Sequence, residues 1–197
     1  MDLHEQKAAL RKQMAETIRA LPPAERATQD RALVDNVFES LGRYFHIDSV
    51  LLAYVPLRDE VDIGPVLAES VELDLCLALP RLGPEDLLVL HRVTDFERDL
   101  EKSGYGVLEP KGTLPLVPFP RVDLALIPGR AFSPAGDRLG RGSAHYDRAL
   151  NTLIGLTVGI AYDCQVVDHV PTNEHDRPVD VVLTPTRVIE THRRERL

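Results

Sequence analysis

Apolar residues at Leu10, Met14, Ile18 and Leu21 follow the rhythm of one helical face and predict a helix over residues 3–21, which Pro22-Pro23 ends. Leu33, Val37, Leu41 and Phe45 predict a second helix over about 24–45. The run at 49–55 (SVLLAYV) is short, apolar and closed by Pro56, the pattern of a strand buried on both faces. A third helix is expected over 62–73, with Asp62 as N-cap and Pro65 in its first turn. Further short apolar runs occupy 75–79, 87–93, 123–127, 156–161 and 181–183, and a helix is expected over 143–154 between two of them. Apolar strands alternating with helices predict an α/β fold, a mostly parallel sheet with helices on both faces. The whole chain, 1–197, reads as a single domain with an N-terminal helical pair at about 3–45. The proline-rich stretch 110–120 (PKGTLPLVPFP) reads as an extended connector.

Charge and composition narrow the class without selecting a function. A net charge of -8 and 5% aromatic residues argue against a nucleic-acid partner, which needs a basic face or a stacking platform. The basic tail at 192–196 reads as a solvated terminus. No apolar run approaches the roughly 20 residues that span a bilayer, so no membrane partner is expected. The N-terminus, MDLHEQKAALRKQ, has no apolar signal region, and Cys76 and Cys164 lack a CxxC spacing. Both cysteines read as buried small hydrophobes, and the expected compartment is the cytoplasm.

The chemistry concentrates in 128–150 (PGRAFSPAGDRLGRGSAHYDRAL), where an apolar strand leads through a glycine-rich turn into a helix. Gly136, Gly140 and Gly142 permit close backbone approach, Arg138 and Arg141 bring guanidinium donors, and Ser143 is the expected N-cap. Together they predict a phosphate- or carboxylate-binding loop. Neither GxxxxGK[ST] nor GxGxxG is present. Asp147 in the helix and Asp176 in 170–180 (VPTNEHDRPVD) form a carboxylate pair suited to Mg²⁺ beside a phosphate. Lys7 and Arg11, one helical turn apart, share one side of the first helix. Glu60, past the first strand, is placed to accept N–H groups from a heterocycle.

These segments, in order, resemble the 5-formyltetrahydrofolate cyclo-ligase family, also called methenyltetrahydrofolate synthetases. The resemblance rests on Lys7-Ala8-Ala9-Leu10-Arg11, Glu60, Gly106-Val107-Leu108-Glu109-Pro110, Ile127-Pro-Gly-x-Ala-Phe132, Gly136-Asp-Arg-Leu-Gly140, Tyr146-Asp147-Arg148 and the stretch from Gly159 to Asp180. It implies a fold of the ribose-5-phosphate isomerase/CoA transferase type. It also implies ATP- and Mg²⁺-dependent closure of 5-formyltetrahydrofolate to 5,10-methenyltetrahydrofolate, with ADP and phosphate released. Residues 7–11, Arg138, Leu139, Gly140, Arg141, Gly142, Ser143, Ala144, His145 and Tyr146 would contact ATP, with Arg138 and Arg141 catalytic. Val55, Glu60 and residues 141–145 would contact the folate, and Asp147 and Asp176 would hold the metal. The partners implied are small molecules only, folate and ATP, with the chain a monomer. One departure stands out: Ser143 and Ala144 occupy positions where the family usually has glycine or lysine and glycine. That departure leaves open a non-catalytic folate- or nucleotide-binding paralogue as the alternative.

Overall fold

The computed structural model describes residues 1–46, 48–104 and 106–191; the basic tail lies outside them. Helix α1 spans Leu3–Ala20 and is opened by a capping box, in which the Asp2 carboxylate accepts from the Glu5 amide and Glu5 answers to the Asp2 amide. Helix α2 spans Pro23–Leu41, with Pro23 at the first position where its missing N–H costs nothing. A 3₁₀ turn, Gly42–Tyr44, completes the segment expected to be helical to residue 45.

The sheet has eight strands. Its parallel centre consists of β1 (Val50–Leu52), β2 (Cys76–Leu82), β7 (Leu124–Pro128), β10 (Leu156–Ile160) and β11 (Val181–Leu183). Antiparallel neighbours extend both sides: β3 (Leu88–Arg92) pairs with β2 and with β6 (Leu116–Val117), and β12 (Val188–Glu190) pairs with β11. The spatial order is β12-β11-β10-β7-β1-β2-β3-β6. Stretch 110–120 is therefore more than a connector, because Leu116 and Val117 add the edge strand of the sheet. Short antiparallel pairs stand off the sheet: β4 (Leu100–Lys102) with β5 (Leu108–Pro110), entered through the single-turn helix α4 (Phe96–Asp99), and β8 (Ala131–Phe132) with β9 (Arg138–Leu139).

The apolar alternation explains the layering. Leu51, Leu77, Leu79, Leu124, Leu126, Val158 and Ile160 pack beneath Ile18, Leu33, Val37, Leu41 and the helix α3 (Gly64–Glu72) through Val66 and Leu67. Val50, Leu52, Ala78, Ala125, Ile127 and Val182 face the other way, against Phe132, Phe119 and Leu150 of helix α5 (His145–Leu150). Gly159 lies under the Phe132 ring, where a Cβ would come within 2.3 Å of it. Among the described residues helices thus cover both faces, with α1, α2, α3 and Phe96 of α4 on one side and the six-residue α5 on the other.

Some local expectations shift. Asp62 precedes the N-cap of α3, Ile63, and its side chain accepts from the Gly64 amide instead. Helix α5 covers His145–Leu150 and not 143–154. Cys76 and Cys164 are free and half-buried, not sealed in the core. Among the described residues, no helix is long and apolar enough to cross a membrane.

Candidate active site

Strand order reverses between β1 and β7: β2 and β3 build outward from β1, whereas β10 and β11 build outward from β7. Such a switch point leaves a crevice at the carboxyl ends of the two strands, and both flanking loops here carry charge. The loop after β1 holds Leu57, Asp59 and Glu60. It is pinned from beneath, because Arg26 on α2 donates through Nη2 to the Glu60 carbonyl (2.8 Å) and the Tyr54 hydroxyl donates to the Val61 carbonyl (3.2 Å). Behind them the Tyr162 hydroxyl accepts from Arg26 Nε (2.8 Å) and donates to Asp30 Oδ1 (2.6 Å). Burial, reinforced by the Asp30 carboxylate, pushes the Tyr162 hydroxyl well above its ordinary pKa, so it remains a neutral strut. Asp30 and Arg26 belong to no motif, and Tyr162 lies inside the 159–180 stretch without an expected role; packing brings the three together.

After β7 the chain turns at Gly129-Arg130 into the β8–β9 hairpin. Arg138 is therefore on a strand beneath the glycine loop and not in the loop itself. Its side chain is 2% exposed and donates to Asp147 Oδ1 (2.7 Å) and the Pro128 carbonyl (3.3 Å). Such a guanidinium is committed to holding Asp147, because a buried charge stripped of its partner is costly. Gly140 offers its carbonyl to Arg11 Nε at 2.9 Å, and Gly142 takes a φ of 118° that favours glycine. Ser143 is not the N-cap. That position falls to Ala144, which adopts a left-handed φ of 55°, while the Ser143 hydroxyl lies 3.1 Å from His145 Nδ1. Ala144 thus keeps a glycine-type backbone, at a cost of about 1–2 kcal/mol for its Cβ.

Two clefts open on either side of this loop. The first, about 270 Å³, is mainly apolar and is lined by Tyr54, Val55, Leu88, Val107 and Leu108, with Glu60, Arg141, Ser143, His145 and Tyr146 at its polar edge. The β4–β5 hairpin brings Val107 and Leu108 there. Its Glu109 turns aside to Arg81, whose Nη1 holds Glu109 Oε1 (3.1 Å), Glu101 Oε1 (2.7 Å) and the Pro110 carbonyl (2.8 Å). The second cleft, about 490 Å³, is less apolar than the first and is lined by Lys7, Arg11, Leu139, Gly142, Asn173 and Asp176, among others. Gly140, Ala144 and Asp147 line both clefts. Ala8 and Ala9 are exposed and line neither, and Leu10 packs among Met14, Ala131, Leu139 and Val170 to seat the helix.

Most charges in the clefts are paired with one another, whereas Arg11 donates to the Gly140 carbonyl. Lys7 Nζ meets Asp176 Oδ2, Arg138 meets Asp147, and Arg141 bridges Glu60 Oε1 (Nε, 3.0 Å) and Asp59 Oδ1 (Nη2). Glu60 Oε2 accepts the Leu57 amide at 3.0 Å. Burial works against the Arg141 charge, but Glu60 and Asp59 outweigh it and raise its pKa above the ordinary arginine value. Among the described residues, no three His, Cys, Asp or Glu side chains cluster as a metal site. Asp147 and Asp176 both line the second cleft, and among the described residues each makes its hydrogen bonds through one carboxylate oxygen, Oδ1 of Asp147 and Oδ2 of Asp176. Two carboxylates with one oxygen apiece to spare suit Mg²⁺, which commonly takes one or two protein carboxylates and completes its octahedron with phosphates and water.

Paired clefts at the switch point of an open α/β sheet, sharing one glycine-rich wall, place the chain among α/β enzymes that bring reacting groups together beyond their strand ends. A model of the 5-formyltetrahydrofolate cyclo-ligase family matches residues 3–185, and the chain belongs to that family. The 5-formyltetrahydrofolate cyclo-ligase of Escherichia coli K12 is 32% identical over 152 residues, covering 74% of this chain and 81% of that protein. The mouse cyclo-ligase is 26% identical over 189 residues, 90% of this chain and 92% of the relative. The solved structure of Aquifex aeolicus 5,10-methenyltetrahydrofolate synthetase superposes with a TM-score of 0.83 at 33% identity, covering 94% of this chain and 93% of that one.

Proposed function

We propose that this enzyme closes 5-formyltetrahydrofolate to 5,10-methenyltetrahydrofolate at the expense of ATP, releasing ADP and phosphate. The observation that carries this reading is the wall shared by the clefts. An apolar slot with a carboxylate at its edge adjoins a cleft bearing the cationic Lys7 and Arg11, and Gly140, Ala144 and Asp147 line both. A heterocycle in the first cleft and a triphosphate in the second would present the formyl oxygen and the γ-phosphoryl group to each other across that wall.

In this reading the formyl oxygen attacks the γ-phosphorus and ADP leaves. N10 then attacks the activated formyl carbon, and phosphate departs with the former formyl oxygen while N10 gives up its proton. Glu60 accepts N–H groups of the pterin, beside Val55. Lys7 and Arg11 hold phosphates, with the backbone from Leu139 to Tyr146 around them, and Arg141 stands where charge develops on the transferring group. Arg138, fixed beneath the loop, is a positioning residue for Asp147. Asp147 and Asp176 would hold Mg²⁺, which supplies neutralisation of phosphate charge.

A direct assay tests the reading: protein, 5-formyltetrahydrofolate and Mg-ATP, following the near-UV absorbance of the methenyl product. Stoichiometric ADP and methenyl product are expected, and ligand binding without turnover would return the chain to a non-catalytic role. Glu60→Gln is expected mainly to raise the folate KM, because a pterin contact serves ground and transition states alike. Losing one charge-assisted hydrogen bond costs about 1.5–3 kcal/mol, roughly ten- to hundredfold in affinity. An unchanged folate KM would remove Glu60 from the folate site.

A further inference from the structure

Asp59 belongs to no motif, yet it stands between Arg141, which lines the first cleft, and Arg130. Its Oδ1 holds Arg141 Nη2, and its Oδ2 lies 2.5 Å from Arg130 Nη1. Arg130 follows β7 and is only 12% exposed, so this second anchor belongs to the frame of the sheet. Burial raises the Asp59 carboxyl pKa, but the two guanidiniums overcome it and hold the group below the ordinary carboxylate value. It is therefore an anion at neutral pH.

Arg141 meanwhile rests on two carboxylates through different nitrogens, Nε on Glu60 and Nη2 on Asp59. Glu60 has its other oxygen engaged by the Leu57 amide. Any heterocycle that takes Glu60 through N–H donors competes with Arg141 Nε for the same oxygen. Loss of that one bond leaves Arg141 tethered by Asp59, whose other oxygen is ion-paired with Arg130. We propose that Asp59 is a positioning residue, the pivot that keeps Arg141 on the wall between the clefts when folate takes Glu60 and so frees Arg141 Nε to face the phosphates. This rests on the folate reading of Glu60 given above.

Folate and nucleotide binding should then be coupled, and reciprocally so. The test is calorimetric titration of Mg²⁺ with a non-hydrolysable ATP analogue, without and with saturating 5-formyltetrahydrofolate, alongside steady-state rates. The parent enzyme is expected to bind the analogue about fivefold or more tightly when folate is present. Asp59→Asn should bind each ligand alone much as the parent does, lose that coupling, and show kcat reduced about tenfold or more, as a displaced Arg141 requires. Arg130→Gln, which releases Asp59 without touching Arg141, should also lose the coupling; it decides the matter should Asp59→Asn fold poorly by circular dichroism. A parent without turnover overturns the folate reading itself. A parent with turnover, beside an Asp59→Asn or a folded Arg130→Gln variant that couples its ligands fully, overturns the pivot alone.

Discussion

Arg141→Lys should lower kcat on the order of 10²-fold while leaving the fold intact, as expected when a donor aimed at developing charge is displaced. The guanidinium uses two nitrogens at once, one on Glu60 and one on Asp59, and an ammonium on a flexible stem cannot reproduce that fork. The Arg141 side chain is 38% exposed, and ion pairs of that kind contribute only about 0–1 kcal/mol to stability. A large rate loss with an almost unchanged melting temperature is therefore the expected pair of results. Near-parental kcat and ATP KM in the Lys variant would remove Arg141 from the reaction and reduce the glycine loop to a turn.

Asp147→Asn should have a comparable effect on rate through another route. Asp147 accepts Arg138 Nη2 at 2.7 Å and the Arg177 amide at 3.4 Å, both through Oδ1, and an asparagine keeps that acceptor while losing the charge. The kcat is expected to fall about 10²-fold or more, with the Mg²⁺ dependence moved to higher concentration. Some stability should go as well, because Arg138 would retain a hydrogen bond but lose its buried counter-charge. Full removal of one partner of such a pair costs about 3–5 kcal/mol, so the isosteric change should cost less than Asp147→Ala. Superimposable Mg²⁺ titrations for parent and Asp147→Asn would take Asp147 out of the metal site.

Ala144 takes the left-handed conformation for which glycine is favoured, and there the loop passes between the clefts. Ser143, in contrast, does none of the capping its type suggests, because the residue that turns the chain into α5 is the one after it. Arg138 and Arg141 looked equivalent as two arginines of one glycine-rich segment. A strand register separates them: pairing of β9 with β8 sends Arg138 inward to Asp147, and Gly140 then lifts Arg141 out to the rim.

What the sequence determined by itself was local and periodic. Apolar spacing located α1, α2 and the parallel strands, since burial on both faces demands continuous runs of Val, Leu and Ile. It also marked Lys7, Arg11, Glu60 and the 138–147 segment as chemistry in need of an explanation. It did not show the edge strand β6, whose two residues are ordered by pairing with β3 and not by any pattern of their own. Asp59 and Arg130 were hidden for the same reason. A charged residue in a loop has no periodicity, and its partners come from distant segments, as Asp59 and Arg141 do across 82 residues. Only the tertiary structure decided which charges meet, because the order of β7 and β1 in the sheet brings their two loops to one crevice.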